Sequence, residues 1–349
     1  MNYIGGIMKN SKNNILLIFI LIIIGVLIIF SDKAKEGAVY GIAIAEKIII
    51  PSLLPLLILF NFITVSKISA PIEKLLAPIT EKVFRLPKCT AGAIIFGLLG
   101  GYPTGAVLTN ALLENNDIDK RTAKRLLLFN VNGGVAFIIN AVGYSMLGSQ
   151  QQGVILFASS TLSAIIIAVI TGFFGKTPKN TELSFYNENT AEALNTSVQK
   201  SISAVLNISA FIILFSALNN IINPPEILLP VFEITFGISH NAKNLNLPEI
   251  AFFLAFSGFC IHLQLLPFIA KAGMNYLEFL VSRIVHGGLS YAVCRILLLI
   301  FPSETEVFSN YANSIFEFSS VNLTFSVLMI LGFIVMIFEL ENKKKTGYN

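Results

Sequence analysis

The chain has 349 residues, of which 54% are hydrophobic and 13% charged, with a formal net charge of +4 and a mean hydropathy of +0.76. Soluble domains carry about 25% charge, so this composition cannot cover a soluble surface and places the chain in a bilayer. The basic residues are scattered between apolar runs, which argues against a nucleic-acid partner. Cys89, Cys260 and Cys294 lie in apolar stretches without CxxC spacing, which argues against a disulfide framework and a zinc site.

A crossing helix needs about 20 apolar residues, and such runs recur along the chain. Nineteen uncharged residues separate Lys12 from Asp32. The run is long for a signal peptide and SDKAKE offers no small-x-small cleavage site, so a retained helix is expected. Lys47 and Lys67 bracket the second run. Residues 89–113 form the third, with GGYPTG at 100–105 in its middle. The uncharged stretch 126–175 is cut by GSQQQG at 148–153 into two spans. Further runs cover 201–225, 250–270, 279–301 and 318–338. The sequence therefore divides into an N-terminal helix and loop (1–36), a first repeat (37–175), a polar linker (176–198), a second repeat (199–340) and a basic tail (341–349).

Charge distribution orients these runs. Lys67, Lys74, Lys82, Arg85 and Lys88 precede the third run, and Lys120, Arg121, Lys124 and Arg125 follow it. Both flanks belong on the inner side, so 89–113 is expected to enter and return as two half-helices turning at GGYPTG. The alternative is one crossing helix kinked at Pro103. In either case backbone broken at that depth must be buried in protein or line a cavity. The resulting topology leaves the tail lysines 343–345 outside, against the positive-inside rule.

Shifting the chain by about 157 residues brings similar features together. AIIFGLLGGYPTGAV (93–107) falls beside AFFLAFSGFCIHLQ (251–264), and Gly133-Gly134 falls beside Gly287-Gly288. LLAPITEKVFRL (75–86) falls beside LLPVFEITFGI (228–238). The expected fold is an all-α polytopic membrane protein. It has about eight transmembrane helices plus two re-entrant or broken helical hairpins in an inverted repeat, as in many secondary transporters.

Candidate binding residues follow from the breaks. Gly100, Gly101, Tyr102, Pro103, Thr104 and Gly105 free backbone groups that attract ions, with two hydroxyls beside them; close helix packing is the competing role. Asn130 and Asn132 are amides in an apolar run, which either bond neighbouring helices or hold a polar substrate. Ser257, Gly258, His262 and Gln264 mark the second break, where a histidine either bonds an interior partner or shuttles a proton. Arg283 and His286 share a helical face. Arg283 suits a carboxylate or phosphate, or snorkels near a helix end. There is no complete P-loop at TGFFGKT (171–177), no HExxH and no GxSxG, so neither an enzyme nor an ATP-driven pump is expected, and no cofactor or metal.

PSLLP (51–55), GYPTGA (101–106), FNVNGGVAFIINAVG (129–143), GFCIHLQ (258–264) and SRIVHGG (282–288), in this order, resemble the YlbJ-type sporulation integral membrane proteins with their nucleoside-recognition "Gate" domain. The resemblance runs from about residue 38 onward. It implies a multi-pass protein of a bacterial cell membrane, in the mother cell or forespore, and movement of dipicolinate, a small dicarboxylate. Gly101, Tyr102, Pro103, Gly105 and Ala106 match the first motif; Gly258, His262 and Gln264 match the second. Val107 stands where many members have lysine, and Gly134 where proline is common. The expected function is a secondary permease for a small polar, anionic metabolite. Its partners would be lipid, substrate and a coupling ion or proton, with oligomerisation left open. The alternatives are a non-transporting scaffold of spore maturation and a nucleoside or metal-ion permease.

Overall fold

A computed structural model describes residues 17–66, 70–175, 190–242 and 244–302, with isolated positions between 324 and 334. Among the described residues every regular element is helical. Five helices are long and apolar enough to cross a membrane: Ser31–Ile63, Gln150–Phe173, Glu192–Ile222, Leu247–Lys271 and Tyr276–Ile300. Most of the expected span 318–338, the tail and the linker residues 176–189 fall outside the described residues.

Helix α1 (Leu17–Ile29) is followed at once by α2 (Ser31–Ile44), which runs through a π-helical turn (Ala45–Ile49) into α3 (Ile50–Val65). The boundary expected at Lys47 is therefore not a helix end. No residue between 31 and 47 breaks a helix except two glycines, and these serve packing. A Cβ on Gly37 would stand 2.5 Å from the Ser216 carbonyl oxygen, and one on Gly41 2.8 Å from Ile213 Cα. Both contacts lie on α9 (Thr190–Ile222). Small residues four apart let two helices approach closely where lipid gives no hydrophobic drive to associate. Asn220 Nδ2 donates to the Lys33 carbonyl (2.8 Å) and Asn61 Nδ2 to the Ser201 hydroxyl (2.8 Å). So α9 runs antiparallel to α2–α3.

The amphipathic α4 (Ala70–Lys82) leads to α5 (Ala91–Gly100) and α6 (Thr104–Glu114). Gly101 sits at φ +83°, a conformation open mainly to glycine, and ends α5. Here the chain doubles back. The single amide nitrogen Nδ2 of Asn130 reaches the carbonyls of Ala93 (2.8 Å) and Gly105 (3.4 Å). In a continuous helix, residues twelve apart would be separated by ~18 Å. The base of the hairpin is closed by Cys89 Sγ and the Asp117 carbonyl at 3.8 Å.

The next apolar segment is interrupted. Helix α7 (Lys120–Phe129) starts on an Asp119 cap. It stops at the amide-rich Asn130-Val131-Asn132-Gly133-Gly134, and the chain resumes as a π-helix (Ala136–Met146). Helix α8 (Gln150–Phe173) then returns, and its Gly172 lies against the Phe84 carbonyl.

After α9 come two short helices, α10 (Leu229–Phe232) and α11 (Ile234–Asn241), folded against each other about Glu233. Gly237 abuts Pro230 so closely that a Cβ would meet its nitrogen at 2.2 Å. Asn241 Nδ2 donates to the Glu226 carbonyl (2.5 Å) and Asn244 Nδ2 to its carboxylate (2.6 Å), closing this second, shorter hairpin at its base.

Helices α12 (Leu247–Phe256) and α13 (Gly258–Lys271) are separated by Ser257 (φ +81°) and Gly258 (φ +63°). They bend without doubling back. Gly287, midway along α14 (Tyr276–Ile300), lies against Phe252, whereas His262 meets Tyr276 and Phe279 at the start of α14. The segment thus runs along α14 from its middle to its N-terminal end. The segment expected as a second re-entrant hairpin is therefore a bent helix, while a short hairpin lies at 229–241. The residues beside Gly287-Gly288 remain continuous helix, unlike those around Gly133-Gly134.

Contacts sort the ends onto two faces. One face joins Lys271 to Glu114 (2.5 Å), Lys124 to Glu278 (3.4 Å) and Arg125 Nη1 to the Arg85 carbonyl (3.0 Å). The other joins Asn220 to Lys33 and Tyr40 to Ser239 (3.3 Å). The first hairpin opens toward the first, basic face and the second toward the opposite face. Single cysteines at positions 82, 116 and 275, in a background lacking Cys89, Cys260 and Cys294, should be labelled from the same side of oriented vesicles, and a cysteine at 246 from the other side. Labelling of 246 together with the other three would remove the two-hairpin arrangement.

Candidate functional site

The two hairpins meet tip to tip. A cavity of about 30 Å3 lies between Gly100, Gly101 and Tyr102 of the first tip and Glu233, Ile234 and Thr235 of the second. Its remaining walls include Gly134, Cys260, Ile261, and Leu53 and Leu57 of α3. That volume holds a water or two, far less than the 300–1,000 Å3 of ordinary metabolite pockets.

Glycines bring the backbones this close. A Cβ on Gly101 would lie 2.4 Å from the Gly134 nitrogen, and one on Gly134 2.7 Å from Gly100 C. The first hairpin therefore rests directly on the broken crossing.

Each break frees carbonyls, and the polar residues singled out in the sequence largely satisfy them. Arg283 donates from Nη1 to the Val131 carbonyl (2.6 Å) and from Nη2 to the Leu128 carbonyl. It thereby caps the open end of α7, where a cation is favoured. Its guanidinium also lies over the Phe279 ring at 5.4 Å. The second bent crossing is treated the same way by His262. Its Nε2 donates to the Phe256 carbonyl (2.9 Å), freed at the end of α12, and its Nδ1 faces the Tyr276 hydroxyl (3.0 Å). His286 Nε2 donates to the Ser160 carbonyl (3.0 Å), which leaves Nδ1 to accept from Arg283 (3.2 Å). Tyr102 donates its hydroxyl to the Leu254 carbonyl, tying the first tip to α12.

Asn132 Oδ1 accepts from the Ser160 hydroxyl. Asn130 Oδ1 and Asn132 Nδ2 are buried and have no hydrogen-bond partner among the described residues. Such atoms are costly to leave unmade, so these amides retain unused bonding capacity beside the first hairpin. Thr104 opens α6 with its amide on the Gly101 carbonyl (2.7 Å), following Pro103. Gly105 lies against the Asn130 carbonyl. Gln264 bonds to Cys260 Sγ at 3.5 Å, and Ser257 bonds to the Ala255 carbonyl at 3.3 Å and to the Tyr102 side chain of the first tip. The fourteen candidates thus fall into one region, but few reach the cavity itself. Val107 is 42% exposed on α6, so its side chain points away from the cavity.

Glu233 escaped sequence reasoning. It is 1% exposed and caps α11, accepting from the Thr235 (2.9 Å) and Phe236 (2.6 Å) amides. No basic side chain pairs with it among the described residues. The available signal was a single acid in the apolar LLPVFEITFGI, a segment too short to cross. No group of three or more His, Cys, Asp or Glu that could hold a metal occurs among the described residues.

Comparison with known proteins gives one point of contact. The chain is 25% identical over 368 residues to the sporulation integral membrane protein YlbJ of Bacillus subtilis (strain 168), covering 90% of this chain and 89% of the relative. No family model matches the chain, and no solved structure matches it. Together with the five long apolar helices, the similarity to an integral membrane protein identifies a multi-pass membrane protein.

Proposed function

We propose that the protein is a secondary permease for a small polar metabolite, acting in sporulation, and that its core is an inverted repeat. The observation that carries this reading is the meeting of two hairpins, opened toward opposite faces, at one buried cavity. The first unit would comprise the crossing 31–65, the hairpin 91–114, the broken crossing 120–146 and the crossing 150–173. The second would comprise the crossing 190–222, the hairpin 229–241, the broken crossing 247–271 and the crossing 276–300. Each unit has three crossings, an odd number, so the second is inverted relative to the first. That is the arrangement in which two halves rock around a fixed central site.

The sporulation setting comes from the relative's name. An anionic dicarboxylate such as dipicolinate is the first substrate to test, from the sequence resemblance. A scaffold of spore maturation needs no cavity between opposed tips, whereas a permease needs a path that opens to each face in turn. The reading includes no catalytic step, cofactor or resident metal. Purified protein in liposomes should accumulate labelled dipicolinate, in parallel assays with nucleosides and divalent metals. Uptake of a nucleoside or metal alone would replace the anion. Uptake of none, with sporulation restored by a transport-dead but folded variant, would establish the scaffold.

A further inference from the structure

We infer that Glu233 is a proton-carrying carboxyl at the meeting point of the two hairpins, and that its protonation accompanies the parting of the tips. The inference rests on the permease reading only for the second clause.

Glu233 and Arg283 are the two Asp, Glu, Lys or Arg residues buried to this depth among the described residues. Arg283 is surrounded by carbonyls on α7 and the break that follows it. Glu233 has no basic partner among the described residues. The Thr235 and Phe236 amides and the Thr235 side chain hold it, and the cavity beside it is otherwise lined by glycine backbone, Tyr102 and apolar residues such as Ile234, Ile261 and Leu53. A carboxylate removed from water without a cation is costly, and proteins relieve that cost by taking up a proton.

A structural cap alone does not need this residue. Asp, Asn, Ser and Thr are the preferred caps, and the other capped helices of this chain use Asp119, Ser149, Asn246 and Asn275. Glutamate at a cap whose side chain borders an internal cavity places an ionisable group where the two halves touch. A proton suits the site better than a metal ion. The cavity is of water size, and among the described residues neither a second carboxylate nor a histidine lines it.

The titratable neighbours do not supply the missing charge. Tyr102 and Cys260 share the cavity wall. On the elements packed against α11, Tyr40 of α2 bonds Ser239, Glu226 holds Asn244, and Glu249 of α12 closes a cap with Asn246. His240, on α11 itself, stacks on Phe236. The proton is taken from one aqueous face when the tips part toward it and is released to the other, with no bond to carbon made or broken.

Infrared difference spectra of the full chain in detergent, titrated over about pH 4–9, should show a protonated-carboxyl C=O band. Glu233→Gln should remove it, and Glu233→Asp should keep it at a shifted position. In proteoliposomes carrying dipicolinate, the wild type should accumulate label under a pH gradient. Glu233→Gln should lose that accumulation while retaining exchange of internal for external label. Absence of a titrating band assigned by Glu233→Gln would overturn the proton site. A band without transport of any kind would leave the proton site standing and remove the permease. Gradient-driven accumulation by Glu233→Gln would remove the coupling.

Discussion

Gly134→Ala should destabilise the fold and stop transport, while Gly288→Ala should do neither. The added methyl at 134 would stand 2.7 Å from Gly100 C, Gly101 N and Leu99 O, all of them backbone atoms. Backbone cannot swing aside as a flexible side chain can, so the two broken segments must separate. Overpacking of this kind costs about 1–3 kcal/mol, and here the separation also moves the first tip away from Glu233. At Gly288 a Cβ meets nothing within 4 Å, and the residue lies inside α14. Alanine there should be neutral or stabilising by about 0.5–1 kcal/mol, as expected for glycine replaced within a helix. Thermal midpoints of the two variants in detergent, beside their uptake rates, make the comparison. Equal midpoints would mean that the two breaks do not touch.

This pair of glycines also shows what the sequence could and could not reveal. Matching Gly133-Gly134 to Gly287-Gly288 aligns residue types, but the two pairs have different tasks. Gly134 admits another segment's backbone, whereas Gly288 meets no neighbouring atoms within van der Waals contact. Helices end and release carbonyls at Phe129-Asn130 and at Phe256-Ser257 instead. Asparagine and serine at a break carry too little signal to announce it.

The first hairpin was legible because basic residues flank it on both sides and Gly101 with Pro103 breaks it. The second was not. It spans only 229–241, has no flanking basic clusters, and resembles one amphipathic helix. Its turn is made by Glu233 in extended backbone (φ −143°, ψ 119°), with no glycine or proline at the tip to announce it. The five long apolar helices were legible from hydropathy, except that Glu46 and Lys47 suggested an end that a π-helical turn carries through.

Arg283→Lys and Arg283→Met should destabilise the protein by similar amounts, and this separates a clamp from an anion site. The guanidinium bridges two carbonyls, those of Leu128 and Val131, and touches His286 with a third donor. Lysine keeps the charge but is a point donor on a flexible stem and cannot span the same fork. Methionine fills similar space and removes the donors altogether. Each orphaned buried carbonyl costs about 1–3 kcal/mol, offset in the methionine variant by no longer burying a cation. If Arg283 serves the end of α7, both variants lose thermal stability, and residual transport follows the folded fraction with unchanged substrate affinity. If it instead leaves the carbonyls to bind an anion when the tips part, lysine keeps measurable substrate affinity while methionine abolishes it, and the stability of the empty protein changes little. The geometry favours the first outcome. Three donors already have partners, and the cavity beside Glu233, not the Arg283 guanidinium, is where the two hairpins converge.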